Sequence, residues 1–393
     1  MLKTIAALFL ALTAAPVAAQ DSASGHFYID KTYKPLALSG LSRVASGESA
    51  LYTKGPALAA NAVTNWHLQW YQWPGTYFEG AFDGTEVVVK LDDKRNIVKL
   101  SVDSGAPAVL TKPGYVEYRF AGLKPGHHVV RFELVTEDQG DMAGVGAFYG
   151  FYVPGNETPL PPPTRARQIE FIGDSYTVGY GNTSGKRSCT RDEVWATTDT
   201  SQAFGPLTAR HYGADYQVNA VSGRGIVRNY NGSRGKILPL AWPFVLPSDS
   251  DDPRQPQGVA DHSRWQPQII AIGLGTNDFS TPLRPGEPWT TRAQLHADYE
   301  AYYTAFVQSI RARNPNAFFI LMAADQFQGE MPGEINTVIT RLNALGEHRI
   351  AFLPMTGLNF GGCDGHPDLG DDRRISDELI GFIDQHPDIW HGQ

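Results

Sequence analysis

The sequence carries few of the features that mark membrane, nucleic-acid or metal-binding proteins. Its formal net charge is −8 over 393 residues, and charged residues make up only 19% of the chain. Because no basic block or stripe occurs, nucleic acid is not expected as a partner. No segment reaches the roughly 20 consecutive apolar residues that a membrane-spanning helix requires, so we expect no membrane partner. The eleven histidines and two cysteines form no H-E-x-x-H or C-x-x-C pattern, and we therefore expect neither a metal nor another cofactor.

The N-terminus shows the pattern of an export signal. Lys3 supplies a positive charge, residues 5–15 form an apolar run, and small residues follow in the positions that a signal peptidase reads. We predict cleavage after Ala19, so that residues 1–19 are a signal peptide and the mature protein is secreted or periplasmic. The alternative is a buried N-terminal helix, which the polar segment at 21–25 disfavours.

The two cysteines, Cys189 and Cys363, are expected to form a disulfide. An exported protein meets an oxidising compartment, where an even pair of cysteines is commonly bonded. Both residues lie in the same predicted domain, near the motifs described below. Two separate buried thiols are the alternative.

The length of the chain favours about two domains. The first, residues 26–155, is predicted to be all-β, because short runs of β-branched and aromatic residues alternate with turn signals. Such regular spacing favours a β-sandwich of the jelly-roll type. The runs are His67–Trp73, Thr85–Leu91, Ile97–Val102, Tyr115–Phe120 and His128–Leu134, and Lys124-Pro125-Gly126 is the turn signal between the last two.

A proline-rich stretch and a second domain follow. Residues 156–167 are predicted to be a linker whose prolines cannot continue a sheet. From 168 to 393 the pattern is one of alternating strands and helices, which predicts a three-layer α/β/α domain with a parallel sheet. The predicted strands are 169–172, 216–221, 269–274, 317–322 and 349–353, and the predicted helices are 203–212, 292–313, 335–345 and 375–385.

Polar and glycine-rich segments follow the strands of this second domain, at the edge where parallel sheets form their sites. Gly173-Asp174-Ser175 comes directly after the first strand, where the turn into a helix would expose the hydroxyl of Ser175 and aim its N–H at an oxyanion. Ser222-Gly223-Arg224-Gly225 follows the next strand, and its glycines offer further N–H donors. A G-D-S sequence alone is a weak signal of catalysis, and an ordinary tight turn is the alternative for Ser222–Gly225 taken alone.

Two further segments supply side chains with acid–base or donor chemistry. Asn277, in G273-L-G-T-N-D278, is a candidate oxyanion donor through its amide, the alternative being a cap of its own turn. Asp278 beside it is expected to be structural. His366, in C363-D-G-H-P367, is a candidate general base, and Asp364 is placed to orient its imidazole.

The order of these motifs resembles the SGNH hydrolase superfamily. The blocks G173-D-S-Y-T-V-G-Y-G181, S222-G-R-G-I-V-R-N-Y230, L274-G-T-N-D-F-S280 and G362-C-D-G-H-P367 are similar to those of carbohydrate esterase family 2. The segment W73-P-G-T-Y-F-E-G-A-F-D-G-T85 is similar to the jelly-roll domain that precedes the esterase domain in that family. The resemblance spans roughly residues 30–370.

The resemblance implies a serine esterase that removes acetyl groups from plant polysaccharides such as xylan or mannan, with an acetylated polysaccharide or oligosaccharide as its partner. Carried over by motif, Ser175 is the nucleophile and His366 the base. The oxyanion hole consists of the Ser175 N–H, Asn277, and either Gly225, which we prefer, or Gly223.

Two positions depart from the pattern. In the wider superfamily the orienting Asp lies three residues before the His, where this chain has Cys363, whereas Asp364 lies two before. Family 2 shares the two-residue spacing, and some of its members rely on a backbone carbonyl instead. Gly365 also stands where the family often has a Trp. A lipid or aryl esterase, and a carbohydrate-binding protein without turnover, remain as alternative functions.

Overall fold

The computed structural model describes residues 33–38, 69–137, 145–246, 260 and 265–391. The predicted signal peptide, and the part of the first predicted strand before residue 69, lie outside the described residues. The strands are β1 (Tyr33–Pro35), β2 (Gln69–Tyr71), β3 (Tyr77–Asp93), β4 (Ile97–Val102), β5 (Ala108–Thr111), β6 (Gly114–Leu134), β7 (Gly146–Pro154), β8 (Thr158–Leu160), β9 (Gln168–Gly173), β10 (Asp215–Ala220), β11 (Ile269–Gly273), β12 (Phe318–Ala324) and β13 (Ile350–Met355). The helices are α1 (Ser175–Val178), α2 (Arg191–Thr197), α3 (Phe204–His211), α4 (Leu238–Ala241), α5 (Thr276–Phe279), α6 (Arg292–Arg313), α7 (Glu330–Ala344) and α8 (Leu369–Gln385).

The N-terminal strands β1–β8 form one antiparallel sheet in the order β1-β7-β3-β6-β4-β5, with β2 added to β7 and β8 added to β3. Its core is aromatic: the ring centroids of Phe78 and Phe148 lie 4.4 Å apart in a stacked arrangement, and Phe132 lies 5.2 Å from Phe148. Buried aromatic pairs of this kind contribute about 0.5–1.5 kcal/mol each beyond the area that they bury. The prediction of an all-β N-terminal domain is therefore confirmed, and its sheet is antiparallel.

One predicted boundary in this sheet is wrong. The runs Tyr115–Phe120 and His128–Leu134 belong to a single strand, β6, and the turn signal between them does not end it. Pairing with β3 passes from Ala121 to Gly126, so the intervening residues form a bulge opposite a single position of β3. The Lys-Pro-Gly sequence thus interrupts the pairing, as proline must, but the strand resumes in the same direction.

The predicted linker is also partly regular. Its residues 158–160 form β8, which pairs with Ala81–Asp83 of β3. Pro159 is tolerated there because a three-residue strand at this position needs few ladder hydrogen bonds. The prolines that follow, at 161–163, lie outside any strand or helix and connect the two domains.

The second domain has a five-stranded sheet in the order β10-β9-β11-β12-β13, with every pair parallel. Strands β9, β11 and β12 are buried along nearly their whole length, which requires cover on both faces. Two helix pairs, α3 with α8 and α6 with α7, supply it. The predicted three-layer α/β architecture with a parallel sheet is confirmed.

Capping residues determine where two long helices of this domain begin. Helix α6 occupies the predicted range 292–313, because Thr291 and Gln294 form a capping box at its start and Asn314 precedes a proline at its end. Helix α8 begins at Leu369, six residues before the predicted start, because Asp368 accepts hydrogen bonds from the backbone of the first turn. Apolar periodicity alone missed that first turn, which is polar.

Candidate active site

The turn after β9 is built to present Ser175. Asp174 caps helix α1 by accepting a hydrogen bond from the Tyr176 N–H at 3.1 Å. A Cβ at Gly173 would lie 1.9 Å from the hydroxyl oxygen of Thr177, so only glycine fits before the turn. Asp174 is therefore the one residue between the end of β9 at Gly173 and the start of α1, and Ser175 is the first residue of that helix.

His366 lies against the Ser175 hydroxyl. Its Nε2 is 2.8 Å from Ser175 Oγ, and its Nδ1 is 2.9 Å from the Cys363 carbonyl oxygen. A carbonyl only accepts hydrogen bonds, so Nδ1 carries the proton and donates it. Nε2 is therefore the basic nitrogen and accepts from the serine hydroxyl, which is the arrangement that a general base requires.

Burial keeps this imidazole neutral. The ring packs beside Tyr180, with centroids 4.3 Å apart, and edge-on to Tyr176 at 5.4 Å. Removal from water lowers the pKa of His366, although the Cys363 carbonyl and the charge of Asp364 act in the opposite direction. At neutral pH the base is thus unprotonated and available.

The structure distinguishes the two candidate acceptors for the hydrogen bond that orients His366, the Asp364 carboxylate and a backbone carbonyl. The Asp364 carboxylate accepts a hydrogen bond from the Tyr180 hydroxyl at 3.1 Å. Both nitrogens of His366 have other partners, Ser175 Oγ and the Cys363 carbonyl. The predicted triad thus lacks its Asp–His hydrogen bond, and a backbone carbonyl takes that place.

The predicted cysteine pair is bonded. Cys189 and Cys363 form a disulfide with a Cα–Cα distance of 5.5 Å. The bridge joins the segment before α2 to the loop of the base, and the Asp364 N–H donates to the Arg187 carbonyl across the same contact. The carbonyl that orients His366 therefore belongs to a residue that is covalently tied to a second segment.

Backbone donors for an oxyanion lie in the loop 221–225, which we call the oxyanion loop. Gly225, the preferred glycine, uses its N–H on the side chain of Asn229 at 3.3 Å, and a Cβ there would lie 2.2 Å from the Arg228 carbonyl oxygen. Gly223, in contrast, lines the cleft that contains Ser175. Among the residues that the structure describes, no hydrogen bond engages the N–H of Gly223 or of Ser175. The geometry thus favours Gly223 over Gly225.

Asn277 joins the two turns. Its amide nitrogen donates to the Arg224 carbonyl at 2.8 Å and to Asp174 Oδ2 at 3.1 Å. An amide has two hydrogens, so donation to an oxyanion requires that Asn277 release one of these two bonds, of which the one to Asp174 is the longer. Burial raises the pKa of Asp174 to about 7, so this carboxyl is a weak competitor once it is protonated.

Asp278 is the structural residue that the sequence predicted. Its carboxylate accepts from the N–H groups of Ile226, Val227 and Arg228 at 3.0, 2.9 and 2.9 Å. Burial raises its pKa to about 6 against the opposing effect of these three donors. The sequence did not predict the second residue that holds this segment, Arg228. Its side chain is buried, donates to the Asp278 carbonyl and pairs with Glu287 at 2.6 Å.

Ser175 and His366 open onto a cleft of about 720 Å³. Three aromatic residues of the motif blocks divide between core and cleft. Trp73 is buried and donates to the Phe244 carbonyl at 3.1 Å, and Tyr77 is buried at the contact between the domains, whereas Tyr230 is 53% exposed and lines the cleft. The lining residues that no sequence motif predicted are Glu137, Arg191, Val221, Ser233, Arg234, Gln326 and Phe327.

Within the described ranges, no group of three or more His, Cys, Asp and Glu side chains is arranged to hold a metal ion. No helix in the same ranges is long and apolar enough to cross a membrane.

The site has a serine hydroxyl against a neutral imidazole, beside two backbone N–H groups that no described residue engages. This arrangement defines a site of the serine-hydrolase class. Comparison with known proteins agrees. The family described as carbohydrate esterase 2 N-terminal matches residues 62–163, and the GDSL-like lipase/acylhydrolase family matches residues 171–380. The chain belongs to the GDSL-like lipase/acylhydrolase family and, within it, to carbohydrate esterase family 2.

Individual relatives share most of the chain. An acetylxylan esterase/glucomannan deacetylase of Cellvibrio japonicus (strain Ueda107) is 47% identical over 81% of this chain and 86% of its own. A solved carbohydrate esterase, described as having an active site with divergent catalytic and non-catalytic binding functions, is 42% identical with a TM-score of 0.80, over 91% of this chain and 100% of that one. A family two carbohydrate esterase from Clostridium thermocellum, solved with cellohexaose, is 25% identical with a TM-score of 0.69, over 81% and 95%. The sequence-based assignment to this family of ester hydrolases is confirmed.

Proposed function

We propose that this protein is a serine esterase that removes O-acetyl groups from plant polysaccharides of the xylan or mannan type. The observation that carries the proposal is the 2.8 Å contact between His366 Nε2 and Ser175 Oγ, with the opposite nitrogen held by a backbone carbonyl. The acetyl and xylan–mannan specificity rests on the similarity to the acetylxylan esterase/glucomannan deacetylase of Cellvibrio japonicus.

Acyl transfer proceeds in two steps in this proposal. His366 accepts the hydroxyl proton as Ser175 Oγ attacks the acetyl carbonyl carbon, and the carbonyl π electrons move to its oxygen. The tetrahedral intermediate collapses by expelling the sugar oxygen, which takes the proton from His366. Water then attacks the acetyl-enzyme with the same base, and acetate leaves as Ser175 Oγ regains its proton.

The oxyanion is held by the N–H groups of Ser175 and Gly223, with Asn277 as the third donor. Each donor of this kind contributes about 2.7–4 kcal/mol to transition-state stabilisation. Asn277 joins the set by exchanging its bond to Asp174 for one to the oxyanion. The oxyanion hole is thus completed only when the charge develops, which favours the transition state over bound substrate.

The direct test is acetate release from acetylated xylan, acetylated glucomannan and acetylated simple sugars, with Ser175→Ala as the matched control. We expect release from the polysaccharides with the native protein and none above background with the variant. A series of 4-nitrophenyl esters of increasing chain length tests the lipid or aryl esterase alternative. The acetate ester should be fastest, and a preference for long acyl chains would overturn the acetyl specificity.

A second candidate function is carbohydrate binding without turnover. The open cleft with its exposed Tyr230 favours it, as does the similarity to the esterase solved with cellohexaose. Retention on insoluble xylan or cellulose without acetate release would establish this function in place of the esterase.

Three further features belong to the proposal. We place cleavage of a signal peptide after Ala19, and hence a secreted or periplasmic protein. We divide the mature chain into a β domain at 26–155, a connector at 156–167 and an esterase domain at 168–393. We infer that the β domain is a jelly roll, because the extra residues of β6 opposite a single position of β3 form a bulge at which this long strand pair can bend and fold the sheet over on itself. N-terminal sequencing of the exported protein and a crystal structure test these inferences.

A further inference from the structure

We propose that Glu137, a residue of the β domain, is a positioning residue for the oxyanion loop. This inference rests on the proposed esterase function and assigns to the β domain a part in the chemistry of the neighbouring domain. Glu137 lies three residues beyond the end of β6 and lines the same cleft as Ser175 and His366.

The contact that carries the proposal is a hydrogen bond between the domains. The Ser222 N–H donates to Glu137 Oε2 at 3.0 Å. Glu137 is only 5% exposed, so this bond is little weakened by competition from water. Ser222 immediately precedes Gly223, which lines the cleft, so fixing the peptide at 221–222 limits the direction of the next one, which carries the Gly223 N–H.

The other anchors of the oxyanion loop come from its own domain. The Val221 N–H donates to the Gly173 carbonyl at 3.3 Å, the Tyr230 N–H donates to the Gly223 carbonyl at 2.8 Å, and the Arg224 carbonyl accepts from Asn277 at 2.8 Å. These bonds hold the start and the far side of the loop. At Ser222 the described side chain that holds the backbone is Glu137.

The segment that carries Glu137 is itself fixed on both domains. The Thr200 N–H of the esterase domain donates to the Val135 carbonyl at 2.9 Å. The Ile97 N–H of the β domain donates to Thr136 Oγ1 at 3.0 Å. Because the two residues before Glu137 are held in this way, its carboxylate has little freedom to follow a displaced loop.

Hydrogen bonds between side chains elsewhere in the interface fix the position of one domain on the other. The Tyr216 hydroxyl donates to Glu133 Oε1 at 2.6 Å, and the Tyr77 hydroxyl donates to Asp215 Oδ1 at 2.6 Å. The β domain is thus held in a fixed position on the esterase domain. The hydrogen bond between Ser222 and Glu137 therefore fixes the position of the oxyanion loop. A displacement of about 1 Å at a catalytic donor commonly costs about 10²-fold in rate, so the support matters for turnover.

The test compares Glu137→Ala, which removes the acceptor, with Glu137→Gln, which keeps an acceptor oxygen and removes the charge. With 4-nitrophenyl acetate we expect kcat to fall roughly 10- to 100-fold in the alanine variant with KM little changed, and to stay within about threefold in the glutamine variant. Lys99→Met is the matched control, because it breaks an interdomain ion pair, Lys99–Asp199 at 2.6 Å, that involves neither the oxyanion loop nor the hydrogen bonds of Tyr216 and Tyr77. It should lower the melting temperature and leave kcat unchanged.

Hydrogen exchange provides a readout that does not depend on turnover. The peptide that contains residues 219–226 should exchange faster in Glu137→Ala than in the native protein or in Lys99→Met. An unchanged kcat and unchanged exchange in Glu137→Ala would overturn the proposal, as would a glutamine variant as impaired as the alanine one. If the native protein hydrolyses no ester, the proposed function fails, while the exchange result still decides the role of Glu137.

Discussion

Replacement of Asp364 by alanine distinguishes a Ser–His dyad from a Ser–His–Asp triad. Asp364 makes no hydrogen bond to Nδ1 of His366 in this structure, because Nδ1 donates to the Cys363 carbonyl oxygen at 2.9 Å. What the variant loses is the hydrogen bond from the Tyr180 hydroxyl, at 3.1 Å and at an exposed position. A bond of that kind contributes about 0.5–1.5 kcal/mol, which corresponds to roughly a tenfold change in rate at most.

The loss expected of a triad is far larger. Replacing the orienting acid of a serine protease triad lowers kcat about 10⁴-fold, because the imidazole then adopts the wrong tautomer. We therefore expect kcat/KM of Asp364→Ala on 4-nitrophenyl acetate to fall by about tenfold or less. A loss of 10³-fold or more, with the melting temperature retained, would refute the dyad.

The pH dependence of the same variant gives an independent check. The negative charge of Asp364 raises the pKa of His366. Its removal should therefore lower that pKa further and shift the acid limb of the kcat/KM profile to lower pH. A shift to higher pH would show that Asp364 acts on His366 in another way.

Three further predictions follow from the same geometry. In the native protein the acid limb of kcat/KM should lie below about pH 6.5, because burial lowers the pKa of His366 from that ordinary value, and a limb above it would contradict the buried neutral base. Asn277→Ala should lower kcat about 10²–10³-fold at similar KM if its amide reaches the oxyanion, and a loss below tenfold would restrict Asn277 to joining the two turns. The double variant Cys189→Ser/Cys363→Ser opens a bridge across 174 residues, so urea denaturation should show a fall in the free energy of unfolding of up to about 5 kcal/mol, and an unchanged midpoint would contradict a stabilising disulfide.

The sequence predicted those parts of the fold that local signals determine. Helix α6 has apolar periodicity, a capping box at Thr291 and a stop at Asn314-Pro315, and its bounds are as predicted. Strand β6 was divided wrongly, because a Lys-Pro-Gly sequence has the same local chemistry in a bulge as in a turn. Only the pairing with β3, which is a long-range contact, distinguishes the two.

The site shows the same division. The G-D-S and D-G-H motifs predicted Ser175 and His366, which the structure brings within 2.8 Å. The choice between Gly223 and Gly225 depends on which N–H already makes a hydrogen bond. The Gly225 N–H donates to the side chain of Asn229, four residues after Gly225, and the sequence alone does not show this contact. Glu137 follows a strand of the other domain and has no motif, so only the tertiary contact reveals it.

The most direct test of the central claim is to trap the acyl-enzyme. Acid quenching during turnover of an acetylated oligosaccharide, followed by digestion and mass spectrometry, should place one acetyl group on the peptide that contains Ser175. The same peptide from Ser175→Ala should carry none, and that variant should release no acetate. Acetate release by Ser175→Ala at the native rate, or an acetyl group on a different residue of the native protein during turnover, would contradict the assignment of Ser175 as the nucleophile.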